Sequence, residues 1–212
     1  MSACAPRLVG IILAAGASRR MGEPKQLLPL AGRPLLQHVV DAAAGSVLDE
    51  IVLVLGHAAD AIRAAIVLPA RGRVVVNPAH AEGQSTSLAC GLGAVTSAAE
   101  AAVVLVGDQP GVTSVLIDRV VGAFLAGEAA AVRPVWRDAA DVLTPGHPVV
   151  LARRLWAEAA RLDGDHGARA LFAAHPEWLR EVEIAGDPPC DVDDLEAYRR
   201  VLDASCAAST GG

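Results

Sequence analysis

Short apolar runs alternate along the chain with segments whose apolar residues recur every three or four positions. Leu8–Leu13, Glu50–Leu55, Arg73–Val76 and Ala102–Val106 are the runs. Their length and near-continuous apolar character predict strands buried on both faces. Between them, Leu35, Leu36, Val39, Val40 and Ala43 follow Pro34 at helical spacing, which predicts a helix with Pro34 as its first residue. Ala58–Ile66 predicts a second helix, and a third starts near Ser85 with Leu88, Leu92 and Val95 on one face. Thr113 is placed to cap a fourth, which carries Leu116, Ile117, Val120, Val121 and Phe124.

Repeated strand–helix order predicts a single-domain, three-layer α/β/α fold around a mostly parallel, Rossmann-like sheet. Past residue 128 the order loosens. Ala129–Val135 and His147–Leu151 read as strands around a polar loop, and Arg180–Ala185 as an edge strand. Helices are predicted over Arg153–Leu162, Gly167–His175 and Leu195–Asp203. With neither linker nor internal repeat, residues 1–203 form one domain, and the small residues of 204–212 read as a disordered tail.

Composition changes this picture little. A net charge of −6 argues against nucleic acid or an anionic membrane as partner. The N-terminal apolar run stops at Ser18, too short to span a bilayer. Cys4, Cys90, Cys190 and Cys206 form neither a CxxC nor a Cys/His cluster, which argues against structural zinc. The expectation is a reduced, cytoplasmic protein.

Against that acidic background, the loop after the first strand carries Arg19, Arg20 and Lys25 beside Gly16 and Gly22. Ligands of parallel α/β sheets bind beyond the carboxyl ends of the strands. Gly16 lets backbone N–H groups approach phosphate oxygens, Arg20 offers a planar fork, and Lys25 a compact charge. The loop is neither GxxxxGK[ST] nor GxGxxG, and by these features alone it is either a polyphosphate cradle or a surface turn. Asp108 follows another buried strand and suits a Mg²⁺ that keeps waters and takes phosphate oxygens, or else caps the next helix, where Thr113 is better placed. Asp191 and Asp193 alternate in an extended stretch and project to one side.

The string LAAGASRRMGEPK resembles the LAAGxSxRMGxxK signature of the nucleotidyltransferase superfamily with a glycosyltransferase-A-like fold. Four later segments narrow the resemblance to the molybdenum cofactor cytidylyltransferases: Asn77-Pro78 with Gly83 and Ser85–Leu92, Gly107–Pro110, Gly146-His147-Pro148, and Leu162–Arg169. It spans about Val9 to Tyr198. It implies that Leu13, Ala14, Ala15, Gly16, Ser18, Ser87 and Asp108 bind the nucleotide, with Arg20 and Lys25 as the catalytic cations. Asp108 and Asp193 would hold Mg²⁺, although Asp191 competes with Asp193 for the second place. The family commonly shows DIDTPED where this chain has DVDDLEA, with Asp194 replacing Thr.

Ala15, where the guanylyl-transferring branch prefers glycine, favours CTP. His147, Asp165 and Arg169 would face a pterin-type phosphorylated acceptor, although Pro145 stands where relatives often carry a basic residue. Ser87 and His147 each have a purely structural alternative. The implied activity is transfer of CMP from CTP with release of pyrophosphate, with a molybdenum hydroxylase as the implied client. Three rivals stay open: a reductase of the nicotine-blue type, a non-catalytic pterin carrier, and the same chemistry on a sugar or alditol phosphate.

Overall fold

The structure is a computed structural model that describes residues 6–18, 20–95, 98–164 and 168–210. The chain opens with β1 (Arg7–Ala14), a two-stranded ribbon of β2 (Pro29–Leu30) and β3 (Arg33–Pro34), and α1 (Leu35–Ala44). Then come β4 (Glu50–Leu55), α2 (Ala59–Ala65), β5 (Gly72–Val76), α3 (Gln84–Ala94), β6 (Ala99–Val106) and α4 (Ser114–Leu125). The second half holds β7 (Ala131–Arg137), β8 (Leu143–Pro145), β9 (Val149–Ala152), α5 (Trp156–Ala159), α6 (Ala168–Ala174), β10 (Leu179–Ile184) and α7 (Leu195–Thr210).

The sheet runs β10-β7-β9-β6-β1-β4-β5, with β8 added to β7. β6, β1, β4 and β5 pair in parallel, as do β10 and β7, while β9 runs antiparallel between β6 and β7. Period-two alternation splits each central strand between two cores. Leu8, Ile12 and Ala14 of β1 pack with α1 and α4 residues such as Leu36, Val40, Ile117 and Val120. Val9, Ile11 and Leu13 pack with Leu88 and Leu92 of α3, Trp156 of α5 and Phe172 of α6. This is the expected three-layer, mostly parallel fold.

One contact sets how closely α3 rides on the sheet. A Cβ on Gly91 would stand 2.5 Å from Ile11 Cγ2 and 3.0 Å from Val54 Cγ2. Only a residue without a side chain admits that approach.

The structure departs from the sequence reading in four places. Pro34 ends the β2–β3 ribbon and precedes α1 instead of beginning it. The segment read as a helix over Arg153–Leu162 is a 3-10 turn at Arg153–Leu155 followed by α5 alone. The polar loop before His147 contains β8. The tail read as disordered from residue 204 continues α7 through Thr210. Among the described residues no helix is long and apolar enough to cross a membrane.

Candidate active site

The carboxyl ends of β1, β4, β5 and β6 face one side of the sheet, and their loops build the site. Gln26, only 2% exposed, organises the first of them. Its Nε2 donates to Ala14 O at 3.1 Å and Gly16 O at 3.2 Å, while Ser18 Oγ donates to its Oε1 at 3.4 Å. Ser18 Oγ also accepts from Lys25 N at 3.1 Å, so Ser18 closes the loop on itself. A Cβ on Gly16 would meet only open space. The chain's own packing does not demand that glycine; the bare backbone serves the cavity.

That cavity, of about 920 Å³, is lined by Leu13–Ser18, Arg20, Lys25, Gln26, Ser87 and Asp108, with His57 and His80 on the β4 and β5 side. Ser87, at the start of α3, accepts from Asn77 Nδ2 at 3.0 Å. Asn77 also donates to Thr86 Oγ1 at 2.9 Å and accepts from Ala79 N at 2.9 Å, so it joins the β5 loop to α3 and fixes the Ser87 side chain.

Lys25 stands between two carboxylates. Its Nζ lies 2.6 Å from Asp108 Oδ2 and 2.8 Å from Asp193 Oδ1, and Arg20 Nη2 lies 3.4 Å from Asp193 Oδ2. The Lys25 side chain is 12% exposed. Burial opposes its charge, but Asp108 and Asp193 outweigh burial and hold its pKa above the ordinary lysine value. Asp193 is held below the usual carboxylate range, first by the Lys25 hydrogen bond and then, against some burial, by the charges of Lys25 and Arg20.

The segment carrying Asp193 is pinned by Val192, which is fully buried and donates its N–H to Asp108 O at 2.9 Å. Asp191 accepts from Gln109 Nε2 at 2.7 Å. Burial and the neighbouring Asp108 push its pKa up. The family departure at Asp194 has a local explanation. Its Oδ1 accepts from Ala197 N at 2.8 Å, so Asp194 caps α7, a task that Asp and Thr share. The acidic cluster thus divides its labour: Asp193 faces Lys25, Asp191 faces Gln109, and Asp194 starts the helix. Asp108 caps nothing here, because Thr113 Oγ1 accepts from Leu116 N at the start of α4.

A second cavity, of about 350 Å³, shares Gln84, Val106, Asp108 and Asp193 with the first. Its own lining includes Gln109, Arg133, His147, Arg169, Phe172 and Asp191. His147 and Arg169 therefore both line this second cavity. Asp165 lies outside the described residues. Desolvation lowers the His147 pKa to about 4, with Asp108 opposing and Arg169 adding to the shift. At neutral pH the imidazole is uncharged, able to donate or accept a hydrogen bond but not to act as a cationic clamp.

The arrangement suits a hard cation. Oxygens of Asp108 and Asp193 already converge on one ammonium, and Asp108 Oδ1 is buried without a hydrogen-bond partner among the described residues. No three His, Cys, Asp or Glu side chains converge there among the described residues. Two carboxylates match an ion that keeps waters and takes phosphate oxygens for its remaining positions.

Several lining residues escaped the sequence reading. Gln26 directly follows Lys25 and lay within reach of it. His57 sits just past the end of β4, a position with the same meaning as that of Asp108. Arg133 is the one charge inside an otherwise apolar strand run, Ala129–Val135. His80 and Gln84 carried no periodic signal.

The chain is 34% identical over 201 residues to a protein named nicotine blue oxidoreductase from Paenarthrobacter nicotinovorans, covering 93% of this chain and 97% of that one. The crystal structure of Rv0371c from Mycobacterium tuberculosis H37Rv superposes with a TM-score of 0.83 at 34% identity, covering 95% of this chain and 100% of that one. The same protein in complex with manganese gives a TM-score of 0.77 at 33% identity, covering 94% and 100%. The family described as the MobA-like NTP transferase domain matches residues 10–179. The chain belongs to the MobA-like NTP transferase family and is a nucleotidyltransferase of it.

Proposed function

We propose that the protein transfers CMP from CTP to a phosphorylated acceptor of the molybdopterin type, with release of pyrophosphate, and so serves a molybdenum hydroxylase. The observation that carries this reading is the position of Asp108, Lys25 and Asp193 at the junction of the two cavities. A nucleotide in the larger cavity and an acceptor in the smaller one would meet at these three side chains.

The backbone of Leu13, Ala14, Ala15 and Gly16 receives the base, and Ser87 contacts cytosine. Asp108 and Asp193 would hold Mg²⁺, and the manganese complex of Rv0371c supports use of a divalent ion. When bound, the ion neutralises triphosphate charge and fixes its oxygens. Lys25 and Arg20 turn from the carboxylates to the phosphates. His147, Asp165 and Arg169 face the acceptor. An acceptor phosphate oxygen attacks the α-phosphorus in line, and its new P–O bond forms as the bond to pyrophosphate breaks. The attacking phosphate is already ionised at neutral pH, so the chain supplies position and charge rather than a nucleophile. Loss of Lys25 or Arg20 removes about 2–4 kcal/mol of transition-state stabilisation, or roughly 1.5 to 3 powers of ten in rate.

The relative named nicotine blue oxidoreductase favours a second reading, hydride transfer from a reduced nicotinamide to a quinone-like pigment. Melting curves with CTP, GTP, ATP, UTP and NADH, each with and without Mg²⁺, separate the two. A stabilisation specific to CTP·Mg²⁺ that disappears in Asp108→Ala supports cytidylyl transfer. Stabilisation by NADH alone would replace it with the reductase reading.

A further inference from the structure

A third cavity, of about 470 Å³, adjoins the second and shares Arg133, Arg169 and Phe172 with it. Beyond those three it is lined by Ala173, Pro176, Leu179 and Glu181. One groove thus runs from the carboxylates of Asp108, Asp191 and Asp193, past two guanidinium groups, to a more apolar end.

We propose that Arg133 and Arg169 form an anion site in this groove, and that it holds a second anionic group of the acceptor, remote from the phosphate that reacts. The inference rests on the reading of the second cavity as the acceptor site, and it narrows the acceptor to a phosphorylated molecule with two separated anionic ends.

Arg133 carries the argument. It lies mid-strand in β7 between Ala131 and Val135, which are buried. Its side chain is only 19% exposed, so its charge needs anionic partners there. Glu181 is its direct cross-strand partner in β10. Arg133 Nε and Nη2 both donate to Glu181 Oε1, at 3.0 and 2.6 Å, and the guanidinium carbon stands 5.9 Å from the centre of the Phe172 ring. The fork is therefore oriented on one edge, while Nη1 has no hydrogen-bond partner among the described residues and keeps its donors for an oxyanion. Arg169 lies in the first turn of α6, where the helix dipole opposes a positive charge, so helix stability does not account for it. Arg133, Arg169 and Glu181 leave one net positive charge at this end of the groove, opposite the three aspartates.

The order of charges dictates the orientation of the ligand. The reacting phosphate sits at the acidic end, where Lys25, Arg20 and a metal offset the carboxylates. The second anion reaches the arginines, and the body between them passes Phe172. A phosphoryl group and a carboxylate share the chemistry this fork recognises.

The test is titration of the full-length protein with inorganic phosphate, and separately with acetate, followed through the side-chain Nε–Hε resonance of Arg133. Arg133→Lys assigns that signal by removing it. Each titration is run with and without saturating CTP·Mg²⁺. We expect a saturable shift that persists with CTP bound and weakens about tenfold or more in Arg169→Met, the size of one charge-assisted contact. Glu181→Gln, which removes the competing carboxylate, should tighten it. Stronger binding of phosphate than acetate assigns the second group as a dianionic oxyanion; equal binding assigns it as a monoanion. A shift that never saturates, or that is indifferent to Arg169→Met and Glu181→Gln, overturns the site. Failure of CTP to stabilise the protein, with the Arg133 response intact, removes the cytidylyl reading and leaves the anion site standing.

Discussion

At the scale of single residues, the site is governed by where charge is placed relative to water. Lys25 keeps its proton because two carboxylates outweigh the cost of burial, whereas His147 loses its own because Asp108 does not. The consequence for His147 is measurable. Its folded-state pKa of about 4 lies below the 6.5 of an unperturbed imidazole. Between those values the unfolded chain binds a proton that the native protein refuses, so stability falls as pH falls through that window and levels off below about 4. His147→Asn should flatten this decline by up to about 1.4 kcal/mol per pH unit, read from urea unfolding at stepped pH. Equal slopes for the two proteins would show that the ring is protonated in the fold. Sequence alone placed His147 near the site through Gly-His-Pro, but its charge depends on burial by residues far away in the chain.

At the scale of elements, two small features hold large ones in place. Gly91 lets α3 lie against β1 and β4, and Ser87 rides on the same helix one turn earlier. Gly91→Ala improves helix propensity by about 1 kcal/mol, yet its methyl meets Ile11 and Val54, and overpacking of this kind costs about 1–3 kcal/mol. We expect net destabilisation and a lower urea midpoint. An unchanged or higher midpoint would mean that α3 can shift outward without loss. Asp194 caps α7, and Asp194→Ala should cost about 1 kcal/mol, whereas Asp194→Thr should be nearly neutral because both are capping residues. The start of α7 was legible as an acidic turn before Leu195. Its length was not, because Ala and Ser residues after 203 lack the apolar periodicity that marks a packed helix.

At the scale of the whole molecule, the site is assembled from segments far apart in sequence. Loops after β1 and β6 meet the stretch before α7, joined by Lys25 with Asp193 and by Val192 with Asp108. A ligand held by all of them should order them together. Amide hydrogen exchange with CTP·Mg²⁺ should slow jointly at Leu13–Gly16, Gly107–Asp108 and Val192. Slowing confined to the first loop would show that the acidic segment takes no part in binding.

The division between sequence and structure follows from the range of the interactions involved. Strand and helix order, the three-layer fold, and the positions of the glycine-bearing loop and Asp108 at the carboxyl edge of the sheet were legible, because buried strands need continuous apolar runs and the loop carries its glycine and cations close together in the chain. The β2–β3 ribbon and β8 were not, being two or three residues long and without internal periodicity. Nor was the partition of the acidic cluster among Lys25, Gln109 and the cap of α7, or the place of Arg133 and Arg169 on the same cavities. Those depend on which strands lie side by side, and local residue pattern does not encode distance between remote segments. The sequence determined the parts of a nucleotidyltransferase; only tertiary packing decided which charges face each other, since partners 83 and 168 residues from Lys25 become its neighbours through the sheet alone.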